Sequence, residues 1–576
     1  MNKKTIFSNF FLIFIIFLTF LIIIVPIFSP TIQGTADGFI HKFRLASFIK
    51  SLQEGNLRPR WLADQALGFG APIFIYNYII PYYAIAVINV FIHSIQKSTQ
   101  VYEAFLVIAA FISMFILIKK LFGAKTAVIT SIAYICAPYF LFSLYTYEAL
   151  GETTSFLFPP LILYQAICLN EAFINQKKKL INRKLIMLQA ILFVITWILF
   201  VNTHNVSTLE SFIPLCILII SYTYRSVRNS IFIFNLIFSA FIISSFFWLP
   251  ALLLSNWIKY KELIAYEVNA RTQQYKSLIN FISVSLNTLR TGNTNYYDFT
   301  IGILILLTLI VSLFALLIIF LTKQKKNFNT QIFFPFSLFL MTLTGLFLTT
   351  RFSHLLWDSG VLNLILYPYR FLFITTFAGT LLFAWLISKV NNIWLLMIFF
   401  IIIIVFARPY TNPNIDHFSF GEHYFENSVQ PARYALWTYK NMGTVEFLPV
   451  WVDNNFVQKQ QDIFSQTIKL PDKLEFDKSI GTILGQKVLS EQMFFHLSMK
   501  ENADIVINTF YYPNWKATIN KISTPVTFDK YGRLLIRVPK GDIQLSLIFG
   551  YSLAERVGFM LSLVGLVYLI FIIKTI

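Results

Sequence analysis

A carboxylate followed by closely spaced cations stands near the start of the chain. Residues 35–61 read TADGFIHKFRLASFIKSLQEGNLRPRW, and Asp37 is the first ionisable residue in this stretch. The basic and imidazole side chains that follow it are His41, Lys42, Arg44, Lys50, Arg58 and Arg60. A carboxylate can take the proton of an attacking hydroxyl, and nearby cations can stabilise a phosphate leaving group. The segment therefore has the residue types needed to transfer a group from a phosphate.

The same segment predicts an amphipathic helix over residues 38–54. Its apolar side chains are Phe39, Phe43, Ala46, Ile49 and Leu52, three or four residues apart, and Gly55-Asn56 ends it. We expect this helix to lie in the membrane interface plane. Two structural roles stand beside the chemical one: Asp37 could cap the helix, and the basic residues could contact lipid headgroups.

Further candidates lie at the ends of apolar runs. Glu148 and Glu152 flank Gly151 and could bind a divalent metal or an acceptor sugar, although a solvated loop is the favoured interpretation. A polar cluster, Asn202, His204 and Asn205, could line a cavity or meet water. Arg370 stands within the apolar run LYPYRFLF, where a charge is costly and usually faces a cavity or a partner. Its alternative is snorkelling to the interface.

Composition indicates a polytopic membrane protein. The chain is 57% hydrophobic and 13% charged, against roughly 25% charged in soluble proteins. Seventeen of the 46 basic residues lie in short clusters that also contain one acid, Glu171. These clusters carry 16 of the 19 net positive charges of the chain. The clusters are Lys3, Lys4, Lys119, Lys120, Lys125, Lys177, Lys178, Lys179, Arg183, Lys184, Arg225, Arg228, Lys323, Lys325, Lys326, Lys389 and Lys574. Short basic loops stay in the cytoplasm, so the charge is an orientation signal and excludes a nucleic-acid footprint.

Twelve spans keep every basic cluster on the cytoplasmic side, with both termini. They are predicted at 7–29, 101–118, 126–145, 153–172, 185–201, 207–222, 230–250, 299–321, 331–350, 364–388, 393–407 and 552–573. The apolar stretch 74–95 is interpreted as re-entrant or interfacial, because a further span would move residues 177–179 outside. The predicted domains are a membrane domain at 1–407, an external or periplasmic β-rich domain at 408–550 and a final helix at 551–576.

The external domain is predicted to be an antiparallel β-sandwich. Its end alternates as strands do, in VINTF, TPVTF, LLIRVP and IQLSLIF, with turn residues such as Tyr512-Pro513-Asn514 between them. The fold class is therefore an α-helical polytopic membrane protein of about twelve spans, with a possible re-entrant segment and a C-terminal β-sandwich-like domain.

Several short stretches resemble a known group of membrane proteins. DGFIHKFR and NLRPRWLADQALGFGAPIFIYNY resemble the first external loop of bacterial GT-C class glycosyltransferases. NTHN at 202–205, LILYPYRFL at 364–372, GTVEFLPV at 443–450 and YYPNWKATIN at 511–520 resemble elements of the YfhO-like proteins and of those labelled 6-pyruvoyl-tetrahydropterin synthase-related. Asn514 departs from the glycine usual in that element. The synthase label does not predict pterin chemistry, because none of the seven histidines pairs at HxH or HxxxH spacing.

The resemblance implies an integral membrane glycosyltransferase that uses a polyprenyl-phosphate sugar at the outer face of the membrane. Asp37 would be the general base. The phosphate-binding residues would be Arg44, Arg58, Arg60 and Arg370. The residues lining the cavity or binding the acceptor would be His41, Glu148, Glu152, His204 and Asn205.

The expected partners are membrane lipids and a glycan, glycolipid or protein acceptor of the cell envelope. A divalent metal, Mg²⁺ or Mn²⁺, could assist at Asp37 and Glu148. Two alternatives are a lipid or polysaccharide transporter and a non-catalytic envelope assembly factor. A transporter would need charges distributed through the bundle, whereas the middles of the predicted spans are almost free of charge.

Overall fold

The protein is described here by a computed structural model. The structure describes residues 3–177, 182–223, 226–270, 274–292, 298–322, 330–390, 392–413, 415, 417–418, 425, 447–467 and 470–574.

Long apolar helices form most of the molecule, as the composition predicts. Among the described residues, nine stretches are long and apolar enough to cross a membrane, and three bent helix pairs bring the number of spans to as many as twelve. The helices that contribute to the nine are α1 (Lys3–Ile27), α5 (Ile95–Phe122), α8 (Leu150–Ser155), α9 (Phe158–Lys177), α10 (Arg183–Val201), α11 (Asn205–Thr223), α16 (Ile303–Thr322), α19 (Leu372–Ile387), α20 (Ile393–Ala407) and α22 (Leu553–Lys574). The predicted polytopic architecture is confirmed.

The three bent pairs occupy the remaining predicted spans. They contain α6 (Ala124–Ile135) with α7 (Pro138–Leu141), α12 (Val227–Ile243) with α13 (Ser245–Leu253), and α17 (Thr330–Leu348) with α18 (His354–Asp358). A π-helical turn, Phe142–Tyr147, prolongs the first pair, and the third pair bends by 86°. At the start of α19, Pro368–Phe371 forms a 3₁₀ turn.

The helices outside the spans are shorter. They are α2 (Gly38–Gln53), α3 (Ile73–Tyr76), α4 (Ile80–Ile92), α14 (Tyr260–Ala270), α15 (Leu278–Thr291) and α21 (Asn454–Thr467). The 13 residues of α4 give a length of about 20 Å, too short for a hydrocarbon core of about 30 Å. The stretch 74–95 therefore contains no helix of spanning length.

One span lies at the centre of the bundle. Of the 16 residues of α19, 14 are buried, and the helix packs against α6, α16 and α17. The hydroxyl groups of Thr375 and Thr380 donate hydrogen bonds to backbone carbonyls one turn earlier in the chain. These hydroxyls therefore need no hydrogen-bond partner on another helix. This rigid centre holds the 3₁₀ turn that carries Arg370.

Basic residues gather at one end of the bundle. Lys120 at the end of α5 pairs with Glu171 at the end of α9, at 2.5 Å. Arg183 at the start of α10 donates to the Lys574 carbonyl at the end of α22, at 2.7 Å. Lys178, Lys179, Arg225, Lys323, Lys325 and Lys326 lie outside the described residues. These two contacts bring together the ends of α5 and α9 and the ends of α10 and α22.

The C-terminal part is a two-sheet β domain, as predicted. One antiparallel sheet has the order β3 (Leu474–Glu475), β6 (Ala503–Phe510), β10 (Arg533–Val538), β9 (Thr527–Phe528). The other has the order β4 (Gly481–Val488), β5 (Gln492–Met499), β11 (Gly541–Phe549), β7 (Trp515–Ile519), β8 (Ile522–Thr524). Strand β1 (Ile32–Gln33), near the start of the chain, pairs with β2 (His417–Phe418), which follows α20.

The β domain is joined to the first loop by a shared core. Alternate residues of both sheets, such as Ile507 and Leu545, pack in one cluster that also includes Trp61, Phe69 and Tyr76. The loop after α2 is therefore part of the β-domain core, and the segment that carries Asp37 is fixed at both ends.

Candidate active site

The turn that carries Asp37 is bound to the break in a span. The Ala36 N–H donates to the Thr146 carbonyl at 3.2 Å, and the Asp37 N–H donates to the Tyr147 carbonyl at 2.9 Å. These carbonyls are available because the π-helical turn ends at Glu148, whose φ is +53°. A distorted span end thus positions the start of α2.

Asp37 occupies the N-cap position of α2, but its side chain does not cap the helix. The Gly38 N–H instead donates to the Thr35 hydroxyl at 3.1 Å. Within the described part of the chain, no group donates a hydrogen bond to the Asp37 carboxylate and no cation lies within ion-pair distance. Asp37 as a residue is half-buried. It is therefore available to a substrate.

The surroundings of Asp37 make it a stronger base than an ordinary aspartate. Burial raises the pKa of its carboxyl from 3.8 to about 6, and the charge of Glu148 adds to the rise. The positive charges of Arg44 and Arg370 act in the opposite direction. A carboxyl with this pKa is mostly ionised at neutral pH and still accepts a proton readily, as a general base requires.

Glu148 is engaged by two neighbours and is not solvated. It is 8% exposed, forms an ion pair with Lys42, and accepts a hydrogen bond from the Thr35 hydroxyl at 2.8 Å. A Cβ on Gly38 would lie 1.8 Å from Glu148 Oε2 and 2.2 Å from Thr35 Oγ1, so only glycine fits there. Glu148 therefore locks the turn that presents Asp37. The favoured interpretation of this stretch as a solvated loop was wrong.

Two guanidinium groups act electrostatically on Asp37. Arg44 lies on α2, is buried, and has its guanidinium carbon 5.1 Å from the centroid of the Phe447 ring. Arg370 donates to the Ile365 carbonyl at 2.8 Å and lies 4.8 Å from the Tyr367 ring centroid. Its buried Nε has no hydrogen-bond partner among the described residues. Both groups are close enough to lower the Asp37 pKa, so an anion between them would meet two positive charges.

His41 and His204 are neutral side chains beside this pair. Burial is the main cause that lowers the pKa of both imidazoles, that of His204 to about 3. His204 Nδ1 accepts the Ser207 N–H at 3.2 Å, which places the proton on Nε2. His41 lies 2.8 Å from the Tyr82 hydroxyl and 3.4 Å from that of Tyr78. Both rings can donate or accept hydrogen bonds without adding charge.

The NTHN stretch fastens a neighbouring segment. The Asn202 carbonyl accepts the N–H groups of Ile79 and Ile80 at 3.2 and 3.3 Å. Asn205 is exposed, and its side-chain amide donates to the Tyr76 carbonyl at 3.4 Å. The two asparagines therefore position residues 76–80, which lead into α4. The ring of Tyr78, in this stretch, lies 5.4 Å from the His204 ring.

A deeper acidic pair lies behind Arg370. Glu152 is 6% exposed and accepts a hydrogen bond from the Tyr139 hydroxyl at 2.5 Å. Glu210 on α11 is 4% exposed, and neither carboxyl oxygen has a hydrogen-bond partner among the described residues. Sequence reasoning missed Glu210, although an acid inside a predicted span is itself a signal. Glu103, near the start of α5, was missed in the same way.

Arg58 and Arg60 lie away from this group, against the last span. Arg60 pairs with Glu491 at 2.8 Å and Glu555 at 3.3 Å, and donates to the carbonyls of Phe549 and Gly550. Arg58 donates to the Phe246 carbonyl at 2.9 Å. Arg60 is therefore occupied by structural partners, whereas phosphate binding by Arg44, Arg58 and Arg370 stays a prediction.

The arrangement of Asp37 and Glu148 does not fit a metal pair. Both Glu148 oxygens are bound by Lys42 and Thr35. Within the described ranges, no three His, Cys, Asp or Glu side chains are grouped as metal ligands would be. Glu446, in the stretch 443–450, lies outside the described residues. A Mg²⁺ or Mn²⁺ requirement stays a prediction.

Comparisons with known proteins give limited similarity. No family model matches the chain, and no curated protein sequence matches it. It is similar to the arabinofuranosyltransferase AftD from Mycobacteria, with a TM-score of 0.42 and 15% identity, over 77% of this chain and 29% of that one. It is also similar to an Archaeoglobus fulgidus oligosaccharyltransferase solved with Zn and sulfate, with a TM-score of 0.40 and 13% identity, over 80% of this chain and 57% of that one. The chain thus spans well under two thirds of either protein, and its function has to be inferred from its own residues.

Proposed function

We propose that this protein is an integral membrane glycosyltransferase. It would move a sugar from a polyprenyl-phosphate donor to a hydroxyl of a cell-envelope acceptor, which is a glycan, glycolipid or protein. The observation that supports this most is the Asp37 carboxylate, which caps no helix and has a pKa that the charges of Arg44 and Arg370 lower. The reaction needs a base that takes the proton of the acceptor hydroxyl and cations that stabilise the phosphate leaving group. Asp37, Arg44 and Arg370 are residues of these types.

The residues suggest the following step. The Asp37 carboxylate takes the proton of the acceptor hydroxyl while that oxygen forms a bond to the anomeric carbon of the sugar. The bond between the anomeric carbon and the phosphate oxygen breaks, and its electron pair leaves with the lipid phosphate. Arg44 and Arg370 stabilise the charge that develops on this leaving group, and Arg370 has an unused Nε donor among the described residues.

The other polar residues would position these groups. Glu148, Lys42 and Thr35 fix the turn before α2. His41 and His204 would offer neutral hydrogen bonds to sugar or phosphate oxygens. Glu152 and Glu210 are near enough to Arg370 to interact with it electrostatically, and they would help to position it.

The distribution of charges favours surface chemistry over transport. Glu103, Glu152, Glu210 and Arg370 all lie within a few turns of the same ends of their spans, opposite the basic clusters. A transport path would need polar groups through the middle of the bundle. If the basic clusters are cytoplasmic, Asp37 and the β domain are external or periplasmic, and both termini are cytoplasmic.

An Asp37→Asn variant tests the enzyme assignment. Membranes that contain the full-length variant at the wild-type level are supplied with polyprenyl-phosphate-linked radiolabelled sugars, and label in the envelope fraction is measured. Loss of the base should reduce transfer by about 10²–10⁴-fold. The matched control is Asp358→Asn, which removes an exposed carboxylate and should leave transfer unchanged. Full transfer by Asp37→Asn would remove Asp37 as the base.

A further inference from the structure

The surface of α15 is divided into three faces. At 100° per residue, Ile279, Ile282, Leu286 and Leu289 form one exposed apolar face. A second exposed face is polar and consists of Asn280, Ser283, Asn287 and Arg290. The third face, Phe281, Ser285 and Thr288, is buried against the protein. A helix in contact with protein and water alone would need two faces, so the apolar face needs an additional environment.

The position of α15 shows where that environment lies. The helix packs against α16, α20 and the 3₁₀ turn Arg408–Thr411 that follows α20. Just before α15, the Lys276 N–H donates to the Thr349 carbonyl at the end of α17, at 3.1 Å. Three spans therefore end beside this helix, on the side away from the basic clusters.

A second apolar surface continues from α15. After α17 the chain bends by 86°, so residues 351–358 run across the direction of the span. The segment 351–364 exposes Phe352, Leu355, Val361 and Leu364, with Phe352 at 82% and Val361 at 80% exposure. Arg351, His354 and Asp358 on the same segment are also exposed. The hydrogen bond from Lys276 to Thr349 ties the residues just before α15 to the residues just before this segment, so the two apolar surfaces begin beside each other.

We propose that α15 and the segment 351–364 form an interfacial anchor that lies in the lipid leaflet at this end of the bundle. The occupant of the apolar face is lipid, because α15 packs against α16, a helix of spanning length whose apolar side chains Leu307 and Ile310 are also exposed. The polar face turns to water, as in helices that lie in an interface plane. Arg290 and Arg351 border the anchor and suit lipid phosphates.

The test compares adjacent positions on α15 in the full-length protein. The three native cysteines, Cys136, Cys168 and Cys216, are replaced by alanine, and single cysteines are introduced at Ile282 and Leu286 or at Ser283 and Asn287. Each is spin-labelled in phosphatidylcholine vesicles that contain phosphatidylglycerol. Collision rates with oxygen, which concentrates in lipid, and with a water-soluble nickel chelate are then measured.

The expected result is a contrast between neighbours. Labels at 282 and 286 should favour oxygen, and labels at 283 and 287 should favour the nickel chelate. Equal accessibility at 282 and 283, or preference of 282 for nickel, would overturn the proposal. Protection of 282 from both reagents would also overturn it, because a protein partner or second copy would then cover the face. All four positions are exposed, so the substitutions leave the core intact, and gel filtration of each labelled protein checks that it is folded.

Discussion

The helices α2 and α15 are both short, both lie outside the spans, and turn opposite kinds of face to their surroundings. On α2 the basic and imidazole side chains His41, Lys42 and Arg44 are buried inside the protein. On α15 the buried side chains are small or apolar and a second apolar face is exposed. Helix α2 therefore serves the interior site, whereas α15 faces the surroundings of the protein. An amphipathic pattern in the sequence shows that a helix has an apolar face and a polar face. Whether its charged side chains are buried or exposed in the structure shows which of these faces meets the protein interior.

The largest effect should come from the charge that α2 buries. Replacing Lys42 by alanine leaves the Glu148 carboxylate buried without its ion-pair partner, which should cost about 3–5 kcal/mol of stability. The control, Lys50→Ala on the exposed side of the same helix, breaks a pair with Asp64 and should cost less than about 1 kcal/mol. Thermal unfolding in detergent measures both. Equal losses would contradict the inward role of α2.

A smaller loss should follow from filling the space at Gly38. In Gly38→Ala the new methyl group would meet Glu148 and Thr35, and relief of this overlap should cost about 1–3 kcal/mol. Sugar transfer should fall as well, since Asp37 moves with the turn. Gly550→Ala is a suitable control, because a Cβ added there would lie 3.5 Å from its nearest neighbour, the Asn514 carbonyl oxygen. Normal stability and transfer in Gly38→Ala would show that Glu148 does not lock the turn.

The pH dependence of transfer should report the charges around Asp37. The rate should rise with pH through about 6, because the base works only when ionised and burial raises the pKa of Asp37 to about 6. Replacing Arg370 by glutamine removes a charge that lowers this pKa, so the rising limb should move to higher pH. Initial rates between pH 5 and 8 measure the shift, with the exposed Arg351→Gln as control. If the rising limb of the pH–rate profile stays in place in Arg370→Gln, the charge of Arg370 does not affect the pKa of Asp37.

The smallest effect should come from the polar face of α15. Ser283→Ala changes an exposed side chain and should alter stability by no more than about 0.5 kcal/mol. It should also leave sugar transfer unchanged, since α15 carries none of the proposed site residues. A large loss of sugar transfer in Ser283→Ala would show that α15, like α2, contributes to the site.

Much of the architecture could be predicted because it depends on local patterns. Apolar runs with basic ends predicted twelve spans, and alternating residues predicted the β domain. Asp37 and Arg370 were also accessible to sequence reasoning, because an acid ahead of a basic helix and a charge in an apolar run are local signals. The grouping of these two residues could not be predicted, since it depends on how α2 packs against the break after α7.

Other residues depended on distant partners. Arg60 was assigned to phosphate binding because it lies near Arg44 in sequence, but Glu491 and Glu555, more than 400 positions away, occupy it. The lipid-headgroup contacts considered for the basic residues of α2 were wrong for Lys42 and Arg44 for a related reason: the helix packs against α4 and α5, and these two side chains are buried inside the protein. That α2 lies in the interface plane stays a prediction. Glu210 could have been found by listing every acid inside a predicted span.

The contacts of Arg60 limit how this molecule can be divided. One guanidinium joins the first loop, the strand-bearing domain and the last helix, and Asn514 donates to Glu555 from the same domain. An excised β domain would keep Glu491 but lose the cation that neutralises it and the Trp61 ring that completes its core. Any graft of this domain onto another membrane scaffold would therefore have to carry the Arg60-Trp61 pair with it.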